Sequence, residues 1–219
     1  MSGKSKGGNF EREIAKELSL WWSDGEREDI FYRSHSSGGR FTVRNKAGKD
    51  TALQGGDITA SDPKGEPLVK AWSIEIKTGY GKKTKAGMTR WDTLDLLDSQ
   101  QKETVIEKMW NQCCRDAELT NREPVLIFRR NGRRPCIMIQ SSYIFKLQDY
   151  FGEIIIKFMV IKLETSCIIM PLFEFFAWIP NIRAALTPHR SEPCSKPQQS
   201  KTFNHTKKLI LRSPTVSTS

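Results

Sequence analysis

Three side chains that could act together on a phosphate ester lie within a short stretch of the sequence. Asp57 follows two glycines, and Glu75 and Lys77 lie two residues apart in the segment WSIEIKTG. Two carboxylates offer the oxygen ligands that Mg²⁺ or Mn²⁺ prefers. Such a metal polarises a phosphodiester and lowers the pKa of a bound water, while a lysine can orient that water or stabilise the charge that develops. The three residues are therefore suited to metal-assisted phosphodiester hydrolysis.

The alternation of side chains along one predicted strand would bring two of these residues onto the same face. A strand over residues 69–78 places Glu75 and Lys77 on one face, and the opposite face carries apolar residues that would pack against a helix: Trp72, Ile74 and Ile76. Asp57 begins the preceding predicted strand, residues 57–60, and could lie beside Glu75. An E-x-K pair is also common as a solvated ion pair on a strand, so the pair by itself does not identify an enzyme.

The elements around these residues follow from apolar spacing and turn signals. A first helix is predicted to begin near Asn9, a favourable N-cap, and its apolar stripe is Phe10, Ile14, Leu18 and Trp21. A long helix over residues 99–119 has a second stripe: Ile106, Met109, Trp110, Cys113, Cys114 and Ala117. Strands are predicted at residues 30–33, 57–60, 69–78, 125–129 and 136–140, and a Gly/Lys-rich loop at residues 79–87. This order predicts an α/β protein with a mixed sheet flanked by helices.

The sequence beyond residue 140 is apolar at first and then polar. It predicts a short helix over residues 141–150, a strand over 153–163 and a helix over 171–186 that Pro180 interrupts. The longest uncharged run of the apolar region, residues 165–173, is far below the roughly 18–20 residues of a membrane span, so we expect buried core and no membrane partner. Residues 187–219 are rich in Pro, Ser, Thr and Lys and predict a disordered basic tail.

The motifs that surround Asp57, Glu75 and Lys77 resemble those of a known superfamily. A helix reading FEREI at residues 10–14, with Leu18, is followed by Arg33 and a Ser/Gly-rich loop at residues 36–39. The Asp, the E-x-K strand, a long helix and the hydrophobic segment PVLIF come next, in that order. Over residues 7–140 the chain resembles the PD-(D/E)XK nucleases, and within them the archaeal and phage Holliday-junction resolvases. Gly56 stands where those proteins have the proline of Pro-Asp.

This resemblance implies a restriction-endonuclease-like fold and a role for each matching residue. Asp57 and Glu75 would bind Mg²⁺ (or Mn²⁺), and Lys77 would be the catalytic lysine. Glu11 would add a third metal-binding carboxylate; as an alternative, it is a first-turn acid that complements the helix dipole. Arg33 and Ser37 would contact the phosphate of the scissile strand, and Arg40 is a further candidate for DNA binding. Lys82 and Lys83 belong to a charged loop cluster that is solvated by default and would contact phosphates if it borders a nuclease cleft. A solvated loop is the alternative interpretation of Ser37.

Charge and cysteine content limit the partners and the compartment. With 35 Lys+Arg against 25 Asp+Glu, the net charge is +10, which suits nucleic acid, an anionic membrane surface or an acidic protein. About half of the excess lies in residues 187–219. The five cysteines are odd in number and have no C-x-x-C spacing, which disfavours a disulfide framework or a zinc ribbon. We therefore expect reduced thiols in a cytoplasmic protein.

The predicted organisation has four parts: a flexible basic N-terminus at 1–8, a nuclease core at 9–140, a C-terminal extension packed on the core at 141–186, and the tail at 187–219. The first functional hypothesis is a homodimeric endonuclease that resolves branched DNA, since two-fold symmetry suits paired cuts across a junction. The alternatives are a phage or mobile-element nuclease with another DNA substrate, a catalytically silent DNA-binding protein of the same fold, and an unrelated basic α/β domain.

Overall fold

The computed structural model describes residues 3–34, 56–79, 81–84, 87–90, 94–180 and 182–186. Its helices are α1 (Gly3–Trp22), α2 (Glu66–Ala71), α3 (Asp95–Asp98), α4 (Val105–Glu118), α5 (Ser141–Phe151) and α6 (Leu172–Trp178). Its strands are β1 (Phe31–Arg33), β2 (Ile58–Ala60), β3 (Trp72–Gly79), β4 (Gly81–Thr84), β5 (Gly87–Arg90), β6 (Glu123–Arg130), β7 (Cys136–Gln140), β8 (Met159–Lys162) and β9 (Ser166–Pro171). Short 3₁₀ helices occupy Pro63–Gly65 and Ile182–Ala185.

A five-stranded mixed sheet forms the centre of the fold. Its strand order is β3-β6-β7-β9-β8, so β3, which carries the E-x-K pair, is an edge strand of that sheet. β3 and β6 run parallel, with Glu75 beside Leu126 and Lys77 beside Phe128, and the remaining pairs are antiparallel. β1 and β2 form a separate antiparallel pair. The predicted mixed sheet flanked by helices, typical of a restriction-endonuclease-like fold, is confirmed.

Helices cover both faces of the sheet and create two apolar clusters. The apolar face of β3 packs against α1, whose stripe residues Phe10, Ile14 and Leu18 are buried. The opposite face of the sheet packs against α4, through the residues predicted from its spacing: Ile106, Met109, Trp110, Cys113 and Cys114. α4 is fixed at its start by Thr104, which accepts from Glu107 N–H while the Glu107 carboxylate accepts from Thr104 N–H. The face that carries Glu75 therefore lies under a helix rather than in solvent.

The ends of several elements differ from the sequence prediction. α1 begins at Gly3, not near Asn9, and the Asn9 side chain, inside the helix, accepts from Arg12 at 2.5 Å. α4 begins at Val105, six residues later than predicted, and residues 95–98 form the separate short α3. The segment predicted as a loop at residues 79–87 contributes β4 and the start of β5, which pair as an antiparallel hairpin. Helix α2 was not predicted, because six residues are too few to show a helical period.

The C-terminal part of the chain completes the same sheet and core. β9 lies between β7 and β8, so residues after 140 supply two of the five strands. Ile144 and Ile168 belong to the same apolar cluster as Phe10. The predicted strand at 153–163 is confined to Met159–Lys162, and the predicted helix from Pro171 is α6, which ends at Trp178 before Pro180. None of the helices in the described ranges combines the length and apolar character that a membrane crossing requires.

Candidate active site

The backbone hydrogen bonds of Asp57 place its carboxylate at the free edge of β3. Asp57 N–H donates to the Ile74 carbonyl at 2.7 Å, and Asp57 Oδ2 accepts from Ile76 N–H at 2.8 Å. Its side chain is buried. Asp57 thus binds the edge of β3 through both its backbone and its side chain, which fixes it beside Glu75 as the sequence predicted.

Gly56 makes this close approach possible. Its φ is +89°, in the region that favours glycine. A Cβ at this position would lie 2.6 Å from the Ile74 carbonyl oxygen, a distance that no side chain tolerates against backbone. Proline is excluded as well, since its ring holds φ near −65°. The departure from the Pro-Asp pattern is therefore a consequence of the local backbone and leaves the aspartate in place.

Glu75 and Lys77 form a buried ion pair on the face of β3 that α4 covers. Glu75 is buried, and only 14% of the Lys77 side chain is exposed. The Lys77 ammonium donates to Glu75 Oε1. The amide of Gln112, on α4, donates to the same oxygen with Nε2 at 2.9 Å. The solvated-pair alternative for the E-x-K motif is wrong for this strand, because both side chains are largely removed from water.

Glu11 and Arg33 lie close to this pair from the side of α1 and β1. The Arg33 guanidinium forms an ion pair with the carboxylate of Glu11, whose side chain is 13% exposed. The charge of Glu11 also acts on both Asp57 and Glu75, raising the pKa of each. Because α1 begins at Gly3, Glu11 lies beyond its first turn, so the helix-dipole alternative for this residue does not apply.

The carboxylates of Asp57 and Glu75 are buried close to each other, and both have raised pKa values. Burial, together with the charge of Glu75, raises the pKa of Asp57 to about 7. Burial also raises the pKa of Glu75, while the charge of Lys77 opposes that shift. Two carboxylates that resist ionisation together are stabilised by a nearby cation. One ammonium supplies part of that charge, and a divalent cation would supply the rest.

The donor set fits a hard divalent cation. Hydrogen bonds engage Oδ2 of Asp57 and Oε1 of Glu75, and each carboxylate has a second oxygen of the kind that Mg²⁺ and Mn²⁺ bind. In the described residues, no three or more His, Cys, Asp or Glu side chains converge closely enough to hold a metal ion. Glu11, held by Arg33, therefore does not complete a three-ligand group with Asp57 and Glu75 in this conformation.

Comparison with known proteins identifies the family. The model of the family described as "Phage putative PDDEXK endonuclease" matches residues 2–183. The chain belongs to this family. Membership confirms the resemblance to the PD-(D/E)XK superfamily and makes the chain a nuclease of that superfamily. No curated protein and no solved structure matches it.

The family match extends past the segments that contain the candidate site residues of this endonuclease. It includes Glu11, Asp57, Glu75 and Lys77, and it continues through the strands and helices after residue 140, as far as residue 183. The match therefore covers all five strands of the central sheet, in agreement with the shared apolar core.

Two polar residues of α4 belong to the site and were not predicted from the sequence. Gln112 contacts Glu75, and Asp116 is near enough for its charge to raise the pKa of Glu75. Burial raises the pKa of Asp116 itself. Both residues border the apolar stripe of α4, on the same side of the buried Cys113. The sequence signal for these two residues was their polar character at the border of a buried stripe. That signal could be interpreted only once the strand that packs against α4 was known.

The predicted DNA contacts divide between described and undescribed residues. Arg33 is at the site, paired with Glu11. Lys82 and Lys83 lie on β4, which follows directly after β3 and pairs with β5. Ser37 and Arg40 lie outside the described residues. Of the cysteines in the described ranges, Cys113, Cys114 and Cys167 are buried and Cys136 is partly exposed.

Proposed function

We propose that this endonuclease hydrolyses phosphodiester bonds of DNA with Mg²⁺ or Mn²⁺ held by Asp57 and Glu75. The observation that carries the proposal is the convergence of two buried carboxylates and one lysine at the edge of β3. Burying three ionisable groups together costs stability, and such clusters are concentrated at sites of catalysis. The membership in an endonuclease family supports the same conclusion.

The residues divide the work between binding and charge stabilisation. A bound metal ion would polarise the scissile phosphate and make its water ligand more acidic. Asp57, fixed by Ile76 N–H, and Glu75, fixed by Lys77 and Gln112, hold their carboxylates in place without rearrangement. The Lys77 ammonium, beside Glu75, is placed to orient the attacking water and to stabilise the additional negative charge of the transition state.

Glu11 and Arg33 would act when the substrate arrives. In the free protein their charges satisfy each other. A DNA phosphate is a competing partner for the Arg33 guanidinium, which can bind it through two parallel hydrogen bonds. Exchange of Glu11 for phosphate at Arg33 would release Glu11 toward the metal site. Substrate binding and completion of the ligand set are then coupled through one ion pair.

For the substrate, we propose branched DNA of the Holliday-junction kind, cut by a homodimer. The proposal rests on the resemblance of the α1 motif, Arg33 and the Ser/Gly-rich loop to the junction resolvases. A two-fold dimer would place two equivalent sites on opposite strands of a junction. A nuclease that acts on another DNA substrate is the second candidate, favoured by a family description that specifies phage endonucleases without a branched substrate.

The test compares cleavage of a labelled four-way junction with a matched linear duplex, in Mg²⁺ and in EDTA. We expect symmetric nicks in the junction that require the metal, and a loss of about 10²–10⁴-fold in rate for Lys77→Ala, the range typical of a missing acid–base or charge-stabilising group. The control is Lys70→Ala, because Lys70 forms a Lys–Glu pair with Glu66 at 2.6 Å on the exposed surface of α2.

The outcomes separate the parts of this proposal. Equal cutting of linear duplex would retain the nuclease and reject the junction substrate. Full activity in EDTA would reject the metal. Tight DNA binding without cleavage, unchanged in Lys77→Ala, would indicate a silent DNA-binding protein of the same fold. Sedimentation of the chain with the junction would report whether one or two copies bind.

A further inference from the structure

The amide of Gln112 lies between two carboxylates of the site. Nε2 of Gln112 donates to Glu75 Oε1 at 2.9 Å, and the Gln112 side chain is near enough to Asp116 to oppose the rise that burial causes in the pKa of that carboxyl. A primary amide nitrogen carries two hydrogens, so one group can serve both acceptors. Reversal of the amide would turn its carbonyl oxygen toward a carboxylate, which is repulsive. The two neighbouring carboxylates therefore favour the orientation of Gln112 in which the amide nitrogen faces them.

The position of this amide is set by the packing of α4 on β3. Gln112 and Asp116 are four residues apart and so lie on one side of the helix. Between them Cys113 is fully buried, and its Sγ contacts the Ser73 carbonyl at 3.8 Å. The reciprocal Thr104–Glu107 cap fixes the beginning of the helix. Gln112 therefore approaches Glu75 from a fixed point.

We propose that Gln112 is a positioning residue for Glu75, and that Asp116 holds Gln112 in the donating orientation. The Lys77 ammonium alone, on a flexible stem, fixes only one point of the Glu75 carboxylate. The second donor, at the same oxygen but from another direction, restricts rotation of the carboxylate and leaves Oε2 for a metal ion. This inference rests on the proposed function, since it concerns the metal ligand of that site.

Such outer partners of metal ligands have measurable effects. Removing them typically weakens metal affinity or activity by about 10–100-fold. The decisive measurement is Mn²⁺ binding to the full chain without DNA, by calorimetry, together with the rate of DNA cleavage at saturating Mn²⁺. We expect Gln112→Ala and the similarly shaped Gln112→Met to weaken Mn²⁺ binding about 10–100-fold. The thermal midpoint of each variant shows whether it is folded.

Substitution of Asp116 tests the second half of the proposal. Asp116→Ala leaves Gln112 without its anchor, so we expect a smaller loss of Mn²⁺ affinity in the same direction. Asp116→Asn keeps an acceptor oxygen for the amide and should restore the affinity of the native chain. The matched control is Asn111→Ala, since Asn111 is the neighbouring amide on α4 and donates to Glu103 at 2.7 Å, away from the site. This control should bind Mn²⁺ as the native chain does.

Each result supports or overturns the proposal. Unchanged Mn²⁺ affinity in folded Gln112→Ala and Gln112→Met overturns the positioning of Glu75. Asp116→Asn as weak as Asp116→Ala overturns the anchoring role, because Asp116 would then act through its charge. If the native chain binds Mn²⁺ but cuts no DNA, the proposed function fails while the positioning of Glu75 is still measured. If the native chain binds no Mn²⁺, both fail.

Discussion

A single residue, Gly56, determines how closely the segment that carries Asp57 can approach β3. Asp57 reaches the strand edge only because Gly56, before it, has positive φ and no side chain. The same position in the resembling nucleases is a proline. In this chain the position of the aspartate therefore depends on the backbone contact with Ile74, which only a glycine at position 56 permits.

Gly56→Ala tests this contact. We expect a loss of about 2–4 kcal/mol in the free energy of unfolding, from strain at positive φ and from overlap with the Ile74 carbonyl. Denaturant titration measures the loss. Gly132→Ala is the matched control: its φ is +68° and a Cβ there meets nothing within 4 Å, so only the φ strain should appear. Equal losses for the two variants would contradict the close approach at Gly56.

At the scale of elements, the parallel pairing of β3 and β6 brings a basic turn beside the active-site strand. The register pairs Thr78 with Arg129 and Gly79 with Arg130, so the turn between β6 and β7 lies just beyond Lys77. Residues 131–134 of this turn are exposed. Arg129 is used within the fold, where it pairs with Glu13 and lies 4.0 Å above the Phe10 ring. Arg134 forms a long ion pair with Glu174 at 3.5 Å, but 83% of its side chain is exposed. Arg133 and Arg134 are therefore the side chains of this turn that we expect to bind a phosphate flanking the site, with Arg134 exchanging Glu174 for the phosphate.

The position of this basic turn predicts how DNA affinity depends on salt concentration. We expect Arg133→Ala with Arg134→Ala to reduce the slope of log affinity against log salt by about two, one for each phosphate-binding side chain removed. Binding is measured on linear duplex with Ca²⁺ in place of Mg²⁺. The control is Lys162→Ala, on β8, combined with Lys157→Ala, two residues before that strand; β8 lies about 19 Å from β3 across four strand spacings. An equal effect of both pairs would indicate general charge attraction instead of a local interaction.

For the whole molecule, a buried acid at the far end of β3 links stability to pH. Glu123 lies beside Trp72 at the beginning of β3, and the candidate site lies further along the same strand pair, at Glu75 and Lys77. It is buried, and its Oε1 has no hydrogen-bond partner among the described residues. Burial raises the pKa of Glu123 to about 7, and the charge of Lys146 opposes the shift. The folded state therefore favours the protonated acid.

The sign of the pH dependence follows from that pKa. Because the folded pKa is above the unfolded one, the folded chain binds more protons, and stability falls as pH rises from about 4.5 through about 7. We expect Glu123→Gln to flatten this fall and to be about 1–3 kcal/mol more stable than the native chain at pH 8. Urea unfolding in EDTA at several pH values measures it. The exposed Glu118→Gln should keep the native slope; a native slope in Glu123→Gln would refute the assignment.

The sequence by itself determined the features that follow from the repeat of side-chain direction along a strand or a helix. The alternation along β3 separated Glu75 and Lys77 from Ile74 and Ile76, and the helical spacing gave the buried stripe of α4 residue by residue. The order of motifs also gave the superfamily, which the family match confirmed. These results follow because side-chain direction repeats every two residues in a strand and every 3.6 in a helix.

Only the tertiary structure decided which surfaces meet. That α4 covers Glu75, so that Gln112 and Asp116 join the site, depends on the packing of one apolar stripe against one sheet face. The insertion of β9 between β7 and β8 and the hairpin after β3 were also not predicted. Contacts between distant segments are chosen by burial and hydrogen bonding in three dimensions, and no short period in the sequence records them.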